Sequence, residues 1–141
     1  MLKFLLPVDG SDTSVKAVGE FIKLIGWYKE VPEIHLLNVQ YPLRGSVPMF
    51  IDKESIDLYY QEEGMKELQP ARELLDRAGI AYRFHITAGT PPDMILRYAE
   101  EINCDKIIIG PRGLGAVKGI LLGSVASKIM QLATIPVLLI K

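Results

Sequence analysis

The sequence predicts a single doubly wound α/β domain over residues 1–141. Five short apolar runs of β type alternate with longer segments of helical spacing, the pattern of strands joined by helical crossovers. Several of the runs lack a polar face, as in Ile107–Ile109 and Val137–Ile140. A strand apolar on both sides is one covered on both sides, which is the environment of a parallel sheet with helices on both faces. A chain of 141 residues is also long enough to bury one full core without disulfide or metal staples.

Taken in order, Lys3–Val8 is the first strand. Val15, Val18, Ile22 and Ile25 recur at three- and four-residue intervals and mark the first helix, which Gly26 stops. Glu33–Val39 is the second strand, and residues Gln40–Asp52, with two prolines and a glycine, read as a mobile loop. The second helix runs from about Lys53 to Ala78. Pro70 lies inside it, and an interior proline costs about 3 kcal/mol, so a kink or break is expected near Gln69. Ile80–Thr87 is the third strand. The third helix carries Met94, Ile95, Tyr98 and Ile102 on one face, with Thr90 as N-cap, Pro91 in the first turn and Asp93 as the capping-box acid. Lys106–Gly110 is the fourth strand, Val125, Ile129 and Leu132 mark the last helix, and Ile135–Ile140 is the fifth strand.

Composition removes several classes of partner. The net charge of −1 supplies no basic field for nucleic acid or an anionic membrane. The apolar run before Asp9 is too short for a signal peptide, and no stretch is long enough to span a bilayer. Cys104 is the one cysteine, so no intramolecular disulfide forms, which suits a reducing cytoplasm. A cytoplasmic protein is expected.

The chemistry concentrates in Gly110–Ser124, GPRGLGAVKGILLGS, which leaves the end of a strand and enters a helix. Gly110, Gly113, Gly115, Gly119 and Gly123 let backbone N–H groups approach a ligand, and a helix N-terminus attracts an anion. Ser124 can cap the helix or donate to a phosphate oxygen, while Arg112 and Lys118 add positive charge. Spacing alone also allows a plain glycine-rich surface turn. Two familiar phosphate motifs are excluded. Ala116 stands where a GxxxxGK[ST] loop needs lysine, and Lys118 occupies the third glycine position of GxGxxG.

Gly110-Pro111-Arg112-Gly113, nine further residues, then Gly123-Ser124 resembles the ATP loop of universal stress proteins at every fixed position. The resemblance extends to Pro7-Val8-Asp9-Gly10-Ser11, to His35–Val39 and to the closing Ile135–Ile140, and so covers almost the whole chain. It implies a five-stranded parallel sheet of order 3-2-1-4-5, in which the first and fourth strands meet at the topological switch point where ligands of such sheets bind. It further implies that Pro7, Asp9 and Val39 line the nucleoside end, and that Gly110, Arg112, Gly113, Gly123, Ser124 and Val125 cradle ribose and phosphates. The implied ligand is ATP, with Mg or Mn as a counter-ion; AMP or ADP suits the same loop. A homodimer through Ile135–Ile140 is implied as well. Pro111 departs from common family choices by removing one backbone donor.

Other residues read as structural. Asp9 is also a candidate turn or cap residue, and Ser11 and Ser14 are helix-start residues. His35 and His85 lie in strands without a second ligand at metal spacing, and Cys104 reads as a packing residue. Trp27, Tyr59 and Tyr60 read as core or interface residues, and Glu62, Glu63 and Glu67 as a solvated helix face. No catalytic constellation assembles. The expected function is a non-enzymatic ATP-binding stress module; the alternatives are a slow ATPase, a dimeric scaffold without nucleotide, and a binder of AMP or a dinucleotide.

Overall fold

The computed structural model describes residues 1–45, 47–113 and 121–141. Gly115, Lys118 and Gly119 of the glycine loop lie outside the described residues.

Five parallel strands form one sheet of order β3-β2-β1-β4-β5. They are β1 (Lys3–Pro7), β2 (Glu33–Gln40), β3 (Tyr82–Ala88), β4 (Lys106–Ile109) and β5 (Val137–Leu139). Between them run α1 (Asp12–Leu24), followed by a 3₁₀ turn at Ile25–Trp27, the single turn α2 (Val47–Phe50), α3 (Lys53–Arg77), α4 (Pro91–Glu101) and α5 (Ser124–Leu132). The predicted strand order is the observed one. β1 pairs with β2 from Lys3–Glu33 to Pro7–Leu37, and with β4 through Phe4–Lys106 and Leu5–Ile107.

Alternation along the strands builds two cores. Phe4, Leu6, Val8, Ile34 and Leu36 face Phe21 of α1 and Leu68 and Leu75 of α3. Leu5, Leu37, Ile107 and Ile109 face Ile95 and Ala99 of α4 and Ala126 and Ile129 of α5. Each large side chain moved from water into such a layer stabilises the fold by about 1.5–3 kcal/mol, which is what holds short strands such as β4 in place.

Four local expectations are corrected. The helix over Lys53–Arg77 is not interrupted at Pro70. Pro70 is exposed, while Gly64, Leu68, Ala71 and Leu75 on the opposite stripe are buried against the sheet, and that burial outweighs the lost hydrogen bond. The 40–52 connection is not loop throughout, because α2 forms within it. Thr90 sits at the N-cap of α4 but its side chain makes no capping bond. Pro92, at the second helical position, removes one of the two backbone donors that it could have served. Trp27 is 81% exposed, which removes the core half of its core-or-interface reading.

His35 is buried on the α4 side, with its ring edge-on to Tyr98. Burial pushes its pKa below the ordinary value, against the opposing pull of Glu33, whose carboxylate lies 3.3 Å from Nε2. His85 stacks flat on the same Tyr98 at 4.9 Å between ring centroids. Among the described residues, no group of three His, Cys, Asp or Glu side chains could hold a metal ion.

Two helical glycines separate propensity from packing. Among the described residues, a Cβ on Gly19 of α1 would meet nothing nearer than Leu74 Cδ1 at 3.8 Å. A Cβ on Gly64 of α3 would lie 2.6 Å from Cγ2 of the buried Ile86. Gly19→Ala should therefore stabilise the protein by up to about 1 kcal/mol through helix propensity. Gly64→Ala should destabilise it by about 1–3 kcal/mol, because overpacking exceeds the same propensity gain. Urea unfolding midpoints shifting in opposite directions would bear this out; two shifts of the same sign would contradict it.

Candidate functional site

A cavity of about 470 Å³ opens where the C-terminal ends of β1, β2 and β4 meet α1, α3, α4 and α5. The sheet order reverses beside β1, so α1 and α3 leave on one face and α4 and α5 on the other. A crevice at this switch point follows from the topology.

All nine residues singled out from the sequence line this one cavity: Pro7, Asp9 and Val39 together with Gly110, Arg112, Gly113, Gly123, Ser124 and Val125. They come from four separate stretches of chain, so the fold and not sequence proximity brings them together. Asp9 follows β1, and its Oδ1 accepts a 2.9 Å bond from the Ser11 N–H. Ser11 caps α1, its Oγ accepting from the Ser14 N–H at 3.2 Å, which realises the helix-start reading of both serines.

On the β4 side the cavity is closed by backbone. Gly110 ends β4 so close to α1 that a Cβ there would lie 3.0 Å from the Thr13 carbonyl oxygen. A Cβ on Gly113 would run into Oδ2 of Asp9, so this glycine lets the loop after β4 touch the turn after β1. The Gly123 N–H donates to the Pro111 carbonyl at 2.7 Å, and folds the two ends of the glycine loop onto each other.

Gly123 is the N-cap of α5 and Ser124 its first residue, so Ser124 is not the capping residue. The first main-chain bond of the helix runs from the Ser127 N–H to the Gly123 carbonyl. Ser124, Val125 and Ala126 thus hold N–H groups with no acceptor inside the helix, and all three residues line the cavity. With Arg112 beside them, this end of the cavity is rich in donors and positive in character.

The β2 end is chemically different. Leu43 and Tyr59 give it apolar walls, and the Tyr60 hydroxyl accepts a 2.8 Å bond from the Leu43 N–H. Glu67 of α3 also lines it, which corrects its reading as part of a solvated helix face. Its carboxylate accepts from Asn38 Nδ2 at 3.2 Å and from Gln40 Nε2 at 3.0 Å. The sequence did carry a signal for this. Asn38 is an amide within the second predicted strand, and a buried amide requires partners; Gln40, read as the first loop residue, is instead the last residue of β2 and is buried too.

A family model described as the universal stress protein family matches residues 1–141. Universal stress protein YxiE of Bacillus subtilis is 32% identical over 149 aligned positions, which cover 99% of this chain and 98% of that protein. The solved structure of hypothetical protein MJ0577 of Methanocaldococcus jannaschii superposes with a TM-score of 0.83 at 28% identity, covering 99% of this chain and 95% of that one. A universal stress protein from Archaeoglobus fulgidus, solved in complex with dAMP, superposes with a TM-score of 0.69 at 22% identity over 100% of this chain and 98% of its own. At that identity the likeness is one of fold.

The contact between Gly113 and Asp9 yields a prediction. Gly113→Ala should destabilise the protein by about 1–3 kcal/mol, because the added methyl must displace either the loop or the carboxylate. Gly123→Ala, whose Cβ would meet nothing among the described residues nearer than Arg112 Cα at 3.4 Å, should stay within about 0.5 kcal/mol of the parent. Thermal melts of the two variants check the contrast, and equal stability would contradict the contact.

Proposed function

This chain belongs to the universal stress protein family, and on that premise we propose that it is an ATP-binding member which holds the nucleotide in the crevice beside β1 and β4. One observation carries the reading. A single cavity is lined at one end by the N-terminus of α5, Arg112 and close-packed glycines, and at the other by apolar side chains and Val39. Phosphates match the first end, where N–H donors and a helix N-terminus meet an anion. A nucleoside matches the second. The dAMP complex of the Archaeoglobus protein lends support, because that ligand occupies the same fold. AMP and ADP suit the same cavity, and a divalent ion, Mg or Mn, would enter with the phosphates. Binding, rather than rapid turnover, is the proposed activity, and the cytoplasm the proposed location.

Titration calorimetry tests the reading. The wild-type chain should bind ATP with roughly micromolar affinity, about −8 kcal/mol. Gly123→Val places a branched side chain beside Arg112 at the phosphate end and should remove binding while leaving the melting temperature within a few degrees. Unchanged ATP affinity in that variant would sink the assignment.

We also propose that two chains associate through β5. This strand is an outer edge of the sheet, and Val137, Leu138 and Leu139 are all only half-buried. Met130 and Leu132 of the neighbouring α5 are exposed at 48% and 52%, and extend the apolar surface. An open apolar edge invites pairing with a two-fold copy. Sedimentation at tens of micromolar should give a dimer for the wild type, and monomer or insoluble protein for Val137→Lys with Leu139→Lys. A monomeric wild type would contradict the interface.

A further inference from the structure

Resting on the nucleotide reading above, we propose that Glu67 selects the base: its carboxylate accepts a hydrogen bond from the 6-amino group of adenine and disfavours a purine with a carbonyl at that position. The geometry begins at the Val8 carbonyl, which can only accept. Asn38 Nδ2 donates to it at 2.9 Å, and this fixes which way the Asn38 amide faces. Asn38 Oδ1 is thereby turned to Gln40 Nε2, 2.7 Å away. The second proton of each amide goes to Glu67, from Asn38 to Oε2 and from Gln40 to Oε1. Reversing either amide would set oxygen against oxygen, so the network has one polarity and it ends on the carboxylate.

A carboxylate offers about four acceptor positions, and the two amides occupy one on each oxygen. One position on each oxygen is left for a donor in the cavity, and no lysine or arginine among the described residues forms an ion pair with Glu67. The side chain is also held from behind. Gly10 adopts φ +84° and packs its backbone against the Glu67 stem, where even a Cβ would stand only 3.1 Å from Glu67 Cβ and Cγ. The result is a negatively charged acceptor of fixed position on the rim of an apolar slot.

Charge then sets the direction of the ligand. β2 and β4 lie on opposite sides of β1, so Glu67, tied to β2, and the N-terminus of α5, which follows β4, occupy opposite ends of the cavity. Phosphates are repelled from the carboxylate end and attracted to the helix end. The ring bound beside Glu67 must present a donor, and Val39, between Asn38 and Gln40, lines the same end. An amino group meets that requirement. A carbonyl oxygen in the same place would face a carboxylate with no proton between them, and a 6-oxopurine could bring its N1–H to Glu67 only by shifting the ring from the adenine position.

The test compares ATP with inosine triphosphate, which carries a carbonyl in place of the 6-amine, by calorimetry on the full chain. Wild type should prefer ATP by about tenfold or more, the usual scale for a hydrogen bond to a charged group. Glu67→Gln should narrow the preference to about threefold or less. Asn38 and Gln40 donate to different oxygens of the carboxylate, so the single oxygen of glutamine can serve only one of them, and the introduced amide nitrogen offers the cavity a donor that suits the carbonyl of inosine. Glu67→Asp, which keeps the charge but withdraws the acceptor, should narrow the ratio in the same direction and serves if the glutamine variant does not fold. A wild type that binds neither nucleotide would overturn the nucleotide reading and this proposal with it. A wild type that binds both equally, or a ratio unchanged in the variants, would overturn this proposal alone.

Discussion

The adjacency of β1 and β4 is the constraint on which the rest of the site depends. The register pairs Phe4–Lys106 and Leu5–Ile107 hold these strands together, with the Asp105 N–H donating to the Lys3 carbonyl at 2.8 Å. From β1 the chain winds outward through α1 to β2, and from β4 it winds the other way through α5 to β5. Right-handed crossovers then place the two helices on opposite faces of the sheet. Among the described residues no helix closes the gap beyond Pro7 and Ile109, and the cavity is that gap. The close approaches of Gly110 to Thr13 and of Gly113 to Asp9 draw the loop after β4 across it. The same pairing that completes the sheet therefore supplies both walls of the site.

The cavity separates two kinds of polar chemistry. At the β4 end the donors are main-chain groups at the start of α5, which are fixed by the helix and need no side chain to hold them. At the β2 end the acceptor is a side chain, and fixing it requires Asn38 and Gln40, both buried. Burying two amide side chains is costly unless each finds its partners, and here each does. A network of this kind contributes orientation more than net stability. Its value lies in presenting one carboxylate in one place.

The parallel sheet was legible because strands covered on both faces need apolar residues at nearly every position, as the runs in β4 and β5 show; its strand order was legible only through the family resemblance. The glycine loop was legible for a similar reason: close backbone approach tolerates no side chain, so the requirement is written in residue identity. Pro70 misled because a local penalty can be read from one residue, whereas the compensating burial of Leu68, Ala71 and Leu75 depends on a sheet formed elsewhere in the chain. Glu67 misled in the same way. It shares a helix with the solvated Glu62 and Glu63, yet it is next to Leu68 and three residues from Gly64, at the border of the buried stripe. Its partners Asn38 and Gln40 are distant in sequence. The amides on β2 announced that something polar had to meet them, but not which residue would.

The most direct measurement of the central claim is a backbone amide NMR titration with a non-hydrolysable ATP analogue. Shifts are expected in two groups that lie on opposite sides of β1, one at Gly110, Gly113 and Ser124–Ala126 and the other at Val39 and Gln40, saturating at the same ligand concentration. Shifts at only one of these groups, or at residues away from the ends of β1, β2 and β4, would contradict a nucleotide laid across the switch point.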